Sequence, residues 1–218
     1  MYKEEILQLN ISDKLYSFIQ ITNIDEVFDD LIKSDNGDEE IEDFIPYWTE
    51  LWPSAIGLSK FIIDYNQLFE NKKIIEIGCG LGLPSIVSAA YSTDILATDL
   101  LKDAISFAFK NAKLNGLDLN IKFNILDWRS NDSKQKYDVV LASDVAYEQR
   151  YFEDLPNALD RLMHEDGIAV LSEPGRKFTK PFIDILNTKF KIFSYSYPVD
   201  WRGVSHEIDI YLMKKKIA

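Results

Sequence analysis

The sequence predicts an α/β fold: one seven-strand sheet with helices on both faces, an antiparallel hairpin at the C-terminus and an N-terminal extension over residues 1–45. Three observations lead there. From residue 72 onward, short apolar runs alternate with segments of helical periodicity, the pattern of a largely parallel sheet. The stretch KKIIEIGCGLGLPSIVSAAYSTDILATDL, residues 72–100, reads as strand, tight glycine turn, helix and strand. Near the C-terminus two strand candidates, Phe190 to Tyr197 and Glu207 to Met213, follow one another with no helix between them.

The N-terminal region comes first. Residues 4–10 and 15–22 partly alternate, with Ile6, Leu9 and Ile11, then Leu15, Tyr16, Phe18, Ile19 and Ile21. They predict a hairpin around Ser12-Asp13-Lys14. Residues 25–33 carry Val27, Phe28, Leu31 and Ile32 at helical spacing. Ser34 to Asp43, SDNGDEEIED, predicts an exposed loop. In PYWTELWPSAIGLSKFIIDY, residues 46–65, Pro53 starts a helix whose stripe is Ile56, Leu58, Phe61, Ile62 and Tyr65. Trp48 and Trp52 precede it and are either the wall of a ligand site or a staple to the core. Gly57 inside the helix implies close approach to the sheet.

In the 72–100 stretch, Ile74, Ile75 and Ile77 suit a buried strand, and Glu76 stands among them. Gly78, Gly80 and Gly82 follow, and Pro84 opens a helix of small apolar residues. Asp99 ends the next strand. The unit is Rossmann-like: a glycine turn brings backbone N–H groups close to a ligand, and an acid at the second strand end accepts from ribose hydroxyls. Leu83 replaces the third glycine of a dinucleotide turn, and there is no Gly-Lys-Ser/Thr, which excludes a P-loop. A carboxylate before the turn repels a pyrophosphate and suits a cationic cofactor with an α-amino group. That chemistry points to S-adenosylmethionine. Cys79 in the turn counts with the cofactor-binding residues as a small residue that fits there, not as a nucleophile.

The remaining elements follow in turn. Lys102 to Leu117 predicts a helix stopped at Asn115-Gly116, and Asn120 to Ile125 a third strand. Asp127 and Trp128 leave that strand, either beside the nucleoside site or as a surface loop. Tyr137 to Ala142 is the fourth strand, and Ser143, Asp144 and Tyr147 follow at its carboxyl end, where ligands of open parallel sheets lie. Ser143 is assigned to the cofactor. Asp144 orients an acceptor amine and Tyr147 walls it off, or Asp144 caps a helix from Arg150 to Met163 and Tyr147 lies in the core. His164 is read as a helix-end group, and Gly167 to Leu171 as the fifth strand. Glu173 and Arg176 line a substrate mouth or pair in a turn. Phe178 to Leu186 is a helix, and PVDWRGVSH links the last two strands.

Composition narrows the classes. The 218 residues suffice for one such domain. Net charge is −12, and residues 1–50 hold fourteen acids against three lysines. Such a chain is a poor binder of nucleic acid and suits a basic protein partner, unless the acidity only solvates the surface. No apolar run is long enough for a membrane span, and MYKEEILQLN lacks a signal-peptide core. Cys79 is the single cysteine, so no internal disulfide forms and a cytoplasmic location is expected. With two histidines besides, no metal site is expected.

PYWTELWPSA, EIGCGLGLP, ATDL, LDW, LASDVAYE and EPGR, in that order, resemble the family-16 group of class I seven-strand methyltransferases, which includes protein-lysine methyltransferases. The resemblance covers roughly residues 45–213. It implies that Glu76, Gly78 and Gly80 hold the methionine part, Asp99 the ribose, and Asp127 and Trp128 the adenine. It further implies that Trp52 covers the cofactor and that Asp144 and Tyr147 line the acceptor site. The implied activity is methyl transfer from S-adenosylmethionine to a protein lysine. The family's nicotinamide-like members keep a small amine as an alternative acceptor, its arginine branch leaves lysine and arginine both open, and a non-catalytic binding module is the second alternative.

Overall fold

The structure is a computed structural model that describes residues 2–34, 45–130, 135–176 and 179–216. The acidic loop expected at Ser34 to Asp43 lies, from residue 35 on, outside the described residues. Strands β1 (Glu4–Ile11) and β2 (Lys14–Ile21) form the N-terminal hairpin, turning at Ser12 with φ +53°, and α1 (Ile24–Ser34) follows. A short 3-10 turn, Tyr47–Thr49, leads into α2 (Pro53–Asp64). Then come β3 (Lys73–Ile77), α3 (Leu83–Ser88), β4 (Asp94–Asp99), α4 (Lys102–Leu114), β5 (Ile121–Ile125) and β6 (Tyr137–Ser143). The chain closes with α5 (Asp154–Leu162), β7 (Met163–Glu173), α6 (Thr179–Lys189), β8 (Phe190–Trp201) and β9 (Val204–Lys215).

Seven strands form one sheet in the order β5-β4-β3-β6-β7-β9-β8. The first five are mutually parallel, and β9 runs antiparallel to both β7 and β8. The order reverses between β3 and β6, which opens a crevice beyond their carboxyl ends.

The period of two along each strand sorts the core into two faces. Ile74, Val139, Leu141, Ile168 and Val170 pack with Phe61 and Ile62 of α2, Ile86 of α3 and Phe107 of α4. Ile75, Ile77, Val140 and Leu171 pack on the other face with Leu155 and Leu159 of α5 and Phe182 of α6. Ile11, Tyr16, Phe18 and Ile21 of the N-terminal hairpin belong to the first of these clusters, so the extension shares the core of the sheet. Gly57 does sit at a close approach: a Cβ there would lie 2.7 Å from Ile208 Cγ2 of β9.

Three expected boundaries are corrected. The helix expected at Arg150 to Met163 splits into a 3-10 turn, Gln149–Tyr151, and α5, whose first turn contains Pro156. β7 begins at Met163, so His164 stands exposed in a strand beyond the helix end. PVDWRGVSH is mostly strand: β8 and β9 pair from Phe190↔Lys215 to Trp201↔Val204 around Arg202-Gly203, with φ of +50° and +78°. Pro198 is tolerated there because β8 is an edge strand.

Candidate functional site

The site is built at the carboxyl ends of β3, β4 and β6. Glu76 is fully buried in β3. Ser85, in the first turn of α3, donates its backbone N–H to Glu76 Oε2 at 2.9 Å and its hydroxyl to the same oxygen. Oε1 is buried and has no partner among the described residues. Burial pushes the Glu76 carboxyl up to about 8; the two Ser85 bonds oppose that rise and the charge of Asp99 adds to it.

The glycine turn starts from there. Gly78 has φ +63°, and a Cβ on it would lie 2.7 Å from Val145 Cγ1, so only glycine fits. Asp99 at the end of β4 accepts the Gly80 N–H at 2.9 Å and the Leu101 N–H at 3.0 Å, one on each oxygen. Burial raises its pKa, opposed by the N–H groups of Leu101, Gly80 and Leu100. Each oxygen keeps a lone pair for a ligand. Cys79 is buried, and burial pushes its thiol well above the ordinary value, which makes it unreactive.

Across the crevice, Asp144 follows β6 in the left-handed region at φ +56°, a conformation that aspartate enters more readily than most residues. Its Oδ1 accepts from Arg176 Nη1, and its Oδ2 accepts from the Ser54 hydroxyl at 3.3 Å. Burial raises the Asp144 pKa; the Arg176 guanidinium opposes that, Glu173 adds to it, and Ser54 opposes it. Asp144 therefore does not cap the following helix. Arg176 meets both alternatives raised for it, since it lines the cleft and its Nη1 lies 3.6 Å from Glu173 Oε1 as well as pairing with Asp144; Glu173 is not among the residues that line the cleft. Glu173 is buried and holds the loop after β7, accepting from Gly175 N–H, Arg176 N–H and the Thr179 hydroxyl.

Aromatic rings close the mouth. Trp52, Tyr47, Tyr147, Tyr151 and Trp128 form a continuous edge-to-face arc with centroid spacings of 6.4, 5.3, 5.4 and 5.6 Å. Tyr47 and Trp52 are exposed, and the Trp52 indole N–H donates to Tyr47 O at 2.9 Å. Trp48 is buried against Tyr2 and Phe107, so it is staple and wall together. Asp127 is gripped by Arg129, which donates Nε to Oδ1 at 2.8 Å and Nη2 to Oδ2 at 2.9 Å. Burial works to raise the Asp127 pKa, but Arg129 outweighs it and the pKa falls.

These groups surround one cleft of about 350 Å³. It brings together every residue assigned to the cofactor or the acceptor: Trp52, Glu76, Gly78, Cys79, Gly80, Asp99, Asp127, Trp128, Ser143, Asp144 and Tyr147. Sequence reasoning missed the roles of Ser54, Ser85, Tyr47 and Tyr151. One signal was present: Pro53-Ser54 and Pro84-Ser85 each put a serine after a proline in a first helical turn, and each serine meets a buried acid. Among the described residues, no group of His, Cys, Asp and Glu could hold a metal ion, and no helix is long and apolar enough to cross a membrane.

The sheet order, the antiparallel C-terminal hairpin and the cleft at the β3/β6 reversal define the class I methyltransferase fold. A solved structure with this fold is a TehB-like SAM-dependent methyltransferase from Corynebacterium glutamicum, with TM-score 0.56 and 16% identity, covering 89% of this chain and 97% of that one. Residues 46–189 match the family model described as lysine methyltransferase, and the chain belongs to that family. Among curated relatives, an electron transfer flavoprotein beta subunit lysine methyltransferase homolog from Caenorhabditis elegans is 32% identical over 145 residues, 60% of this chain and 59% of that protein. The Rattus norvegicus electron transfer flavoprotein beta subunit lysine methyltransferase is 30% identical over 134 residues, 60% of this chain and 51% of that protein. The chain thus spans between half and three fifths of the length of these two relatives.

Proposed function

We propose that the protein transfers a methyl group from S-adenosylmethionine to a lysine amine of a protein substrate. The observation that carries the reading is Glu76 Oε1, a buried acceptor in the wall of the cleft without a partner among the described residues. A buried carboxylate oxygen of this kind calls for a donor, and an α-ammonium group supplies one. The wall holds six acids, Glu50, Glu76, Asp99, Asp127, Asp144 and Glu148, against two arginines, so it favours a cation. Family membership and the fold support the same cofactor.

In this reading Glu76 binds the amino group, with Gly78, Cys79 and Gly80 as the close backbone floor. Asp99 takes the ribose hydroxyls with its remaining lone pairs. Asp127 and Trp128 flank the base, Ser143 borders the cofactor, and Trp52 covers it. The cofactor supplies an activated methyl group on a sulfonium.

The chain's own residues then handle the acceptor. Asp144, fixed by Arg176 and Ser54, orients the amine, and the rings of Tyr47 and Tyr147 exclude water from it. Positioning of this kind needs no covalent intermediate. The exposed rings of Tyr47 and Trp52 at the rim favour a side chain presented by a macromolecule over an enclosed small ring. The acidic N-terminal region favours a basic protein, and a single buried cysteine suits the reducing cytoplasm as its setting.

Calorimetric titration with S-adenosylmethionine tests the premise. Binding is expected, and none at millimolar ligand rejects the enzyme reading. Labelled methyl groups are then expected in lysine residues of lysate proteins. Label confined to small molecules rejects the protein acceptor.

A further inference from the structure

The N-terminal hairpin lies outside the residues matched by the family model, yet it is hydrogen-bonded toward the cleft. β2 presents alternate residues to α4. The Ser17 N–H donates to Asn115 Oδ1 at 3.0 Å, and Asn115 Nδ2 returns a bond to Ser17 O at 2.7 Å. The Ile19 N–H donates to Asn111 Oδ1 at 2.7 Å. Two asparagines one helical turn apart thus stand where a third strand would pair with β2.

Asn111 differs from Asn115 in where its other end goes. It is fully buried, and its Nδ2 donates to Leu81 O at 3.0 Å, inside the glycine turn. A single amide therefore ties a hairpin N–H to the backbone that floors the cleft. A second tie runs in parallel: the Tyr2 ring meets Trp48 at 5.6 Å and Phe107 at 5.4 Å, and its hydroxyl donates to Asp103 of α4. Trp48 in turn backs Gly80, where an added Cβ would lie 3.8 Å from Trp48 Cα.

We infer that the hairpin is a working part of the cofactor cleft, with Asn111 as the positioning residue that couples it to the glycine turn. The consequence for ligand affinity rests on the cofactor reading above; the coupling itself does not. A buried amide that loses either partner leaves the other unsatisfied, so the hairpin and the turn are held or released together.

The test uses the full chain and two substitutions, Ile19→Pro and Asn111→Ala. Ile19→Pro removes the hairpin N–H that bonds to Asn111 and leaves the side chains of α4 and of the cleft unchanged, and the β1–β2 ladder does not use that N–H. Asn111→Ala cuts the same link from its centre. Amide hydrogen exchange is read at Gly80 and Gly82, whose N–H groups bond to Asp99 and to Cys79 O, with Leu171 and Tyr211 in β7 and β9 as distant references. The expected result is exchange at least about tenfold faster at Gly80 and Gly82, with the references unchanged. Unchanged glycine amides overturn the inference, and so does equal acceleration at every site. Affinity for S-adenosylhomocysteine is expected to fall about tenfold in both variants, a usual size for such coupling. If the turn amides respond while the wild-type protein binds no S-adenosylhomocysteine, the coupling stands and the cofactor reading falls.

Discussion

Ser85 gives both of its donors to a single oxygen of Glu76 and leaves the other oxygen buried, with no partner among the described residues. One carboxylate thus serves two purposes, holding the helix start with one oxygen and offering the other to the cleft. The arrangement builds the ligand's place into the fold, because β3 supplies the acid and the first turn of α3 supplies the serine.

The first prediction is proton linkage at Glu76. Its folded pKa of about 8 lies above the ordinary value of 4.5, so its contribution to stability is fully present below 4.5 and is lost as pH rises through 8. Thermal midpoints of the unliganded protein are expected to fall between pH 5 and pH 8, and Glu76→Gln to flatten that slope. A cationic ligand favours the ionised carboxyl, so binding at pH 7 releases a proton. Calorimetry in two buffers of different ionisation heat measures it; an equal heat in both removes Glu76 from the site.

Ser85→Ala tests the same pair from the other side. The hydroxyl bond lowers the Glu76 pKa, so its loss moves that titration further up. Stability is expected to drop by about 1–3 kcal/mol, the usual cost of stripping a partner from a buried acceptor. The pH dependence should extend to higher pH, which a simple packing defect would not cause. Denaturant melts across pH read both effects.

Asp144 and Arg176, which pair across the cleft, are expected to respond differently to substitution. Asp144→Ala is expected to leave S-adenosylhomocysteine affinity within about twofold while cutting transfer on the order of 10²-fold. The Arg176 guanidinium holds the Asp144 carboxyl down against its burial. Arg176→Met therefore raises the Asp144 pKa further and shifts the acid limb of the transfer rate toward higher pH. A pH profile unmoved by Arg176→Met contradicts the ion pair as a functional device.

Gly57→Ala probes how the floor of α2 meets the sheet. A helix interior usually gains about 0.5–1 kcal/mol from this change. Here the new methyl meets Ile208 at 2.7 Å, and overpacking costs about 1–3 kcal/mol, so destabilisation is expected to win. In the double variant with Ile208→Ala the loss should be smaller than the sum of the singles, because trimming Ile208 makes room for the new methyl.

The sequence by itself determined the parts governed by neighbours. Strand β3, the turn at Gly78 to Gly82, α3 and β4 were legible because period, glycine and proline act within a few residues. The cationic preference was legible too, since Glu76 and Asp99 bracket that one unit. The ends of β7, β8 and β9 were not legible, because those strands run as far as their partners pair, whatever Pro198 or His164 suggests locally. The tertiary structure alone decided that Asp144 meets Arg176 and Ser54, 32 and 90 positions away, and that Asn111 meets Ile19, 92 positions away. No local pattern specifies such pairs. They exist because packing α2, α4 and the hairpin on one face of the sheet buries polar groups together, and each buried group must then find a partner within reach.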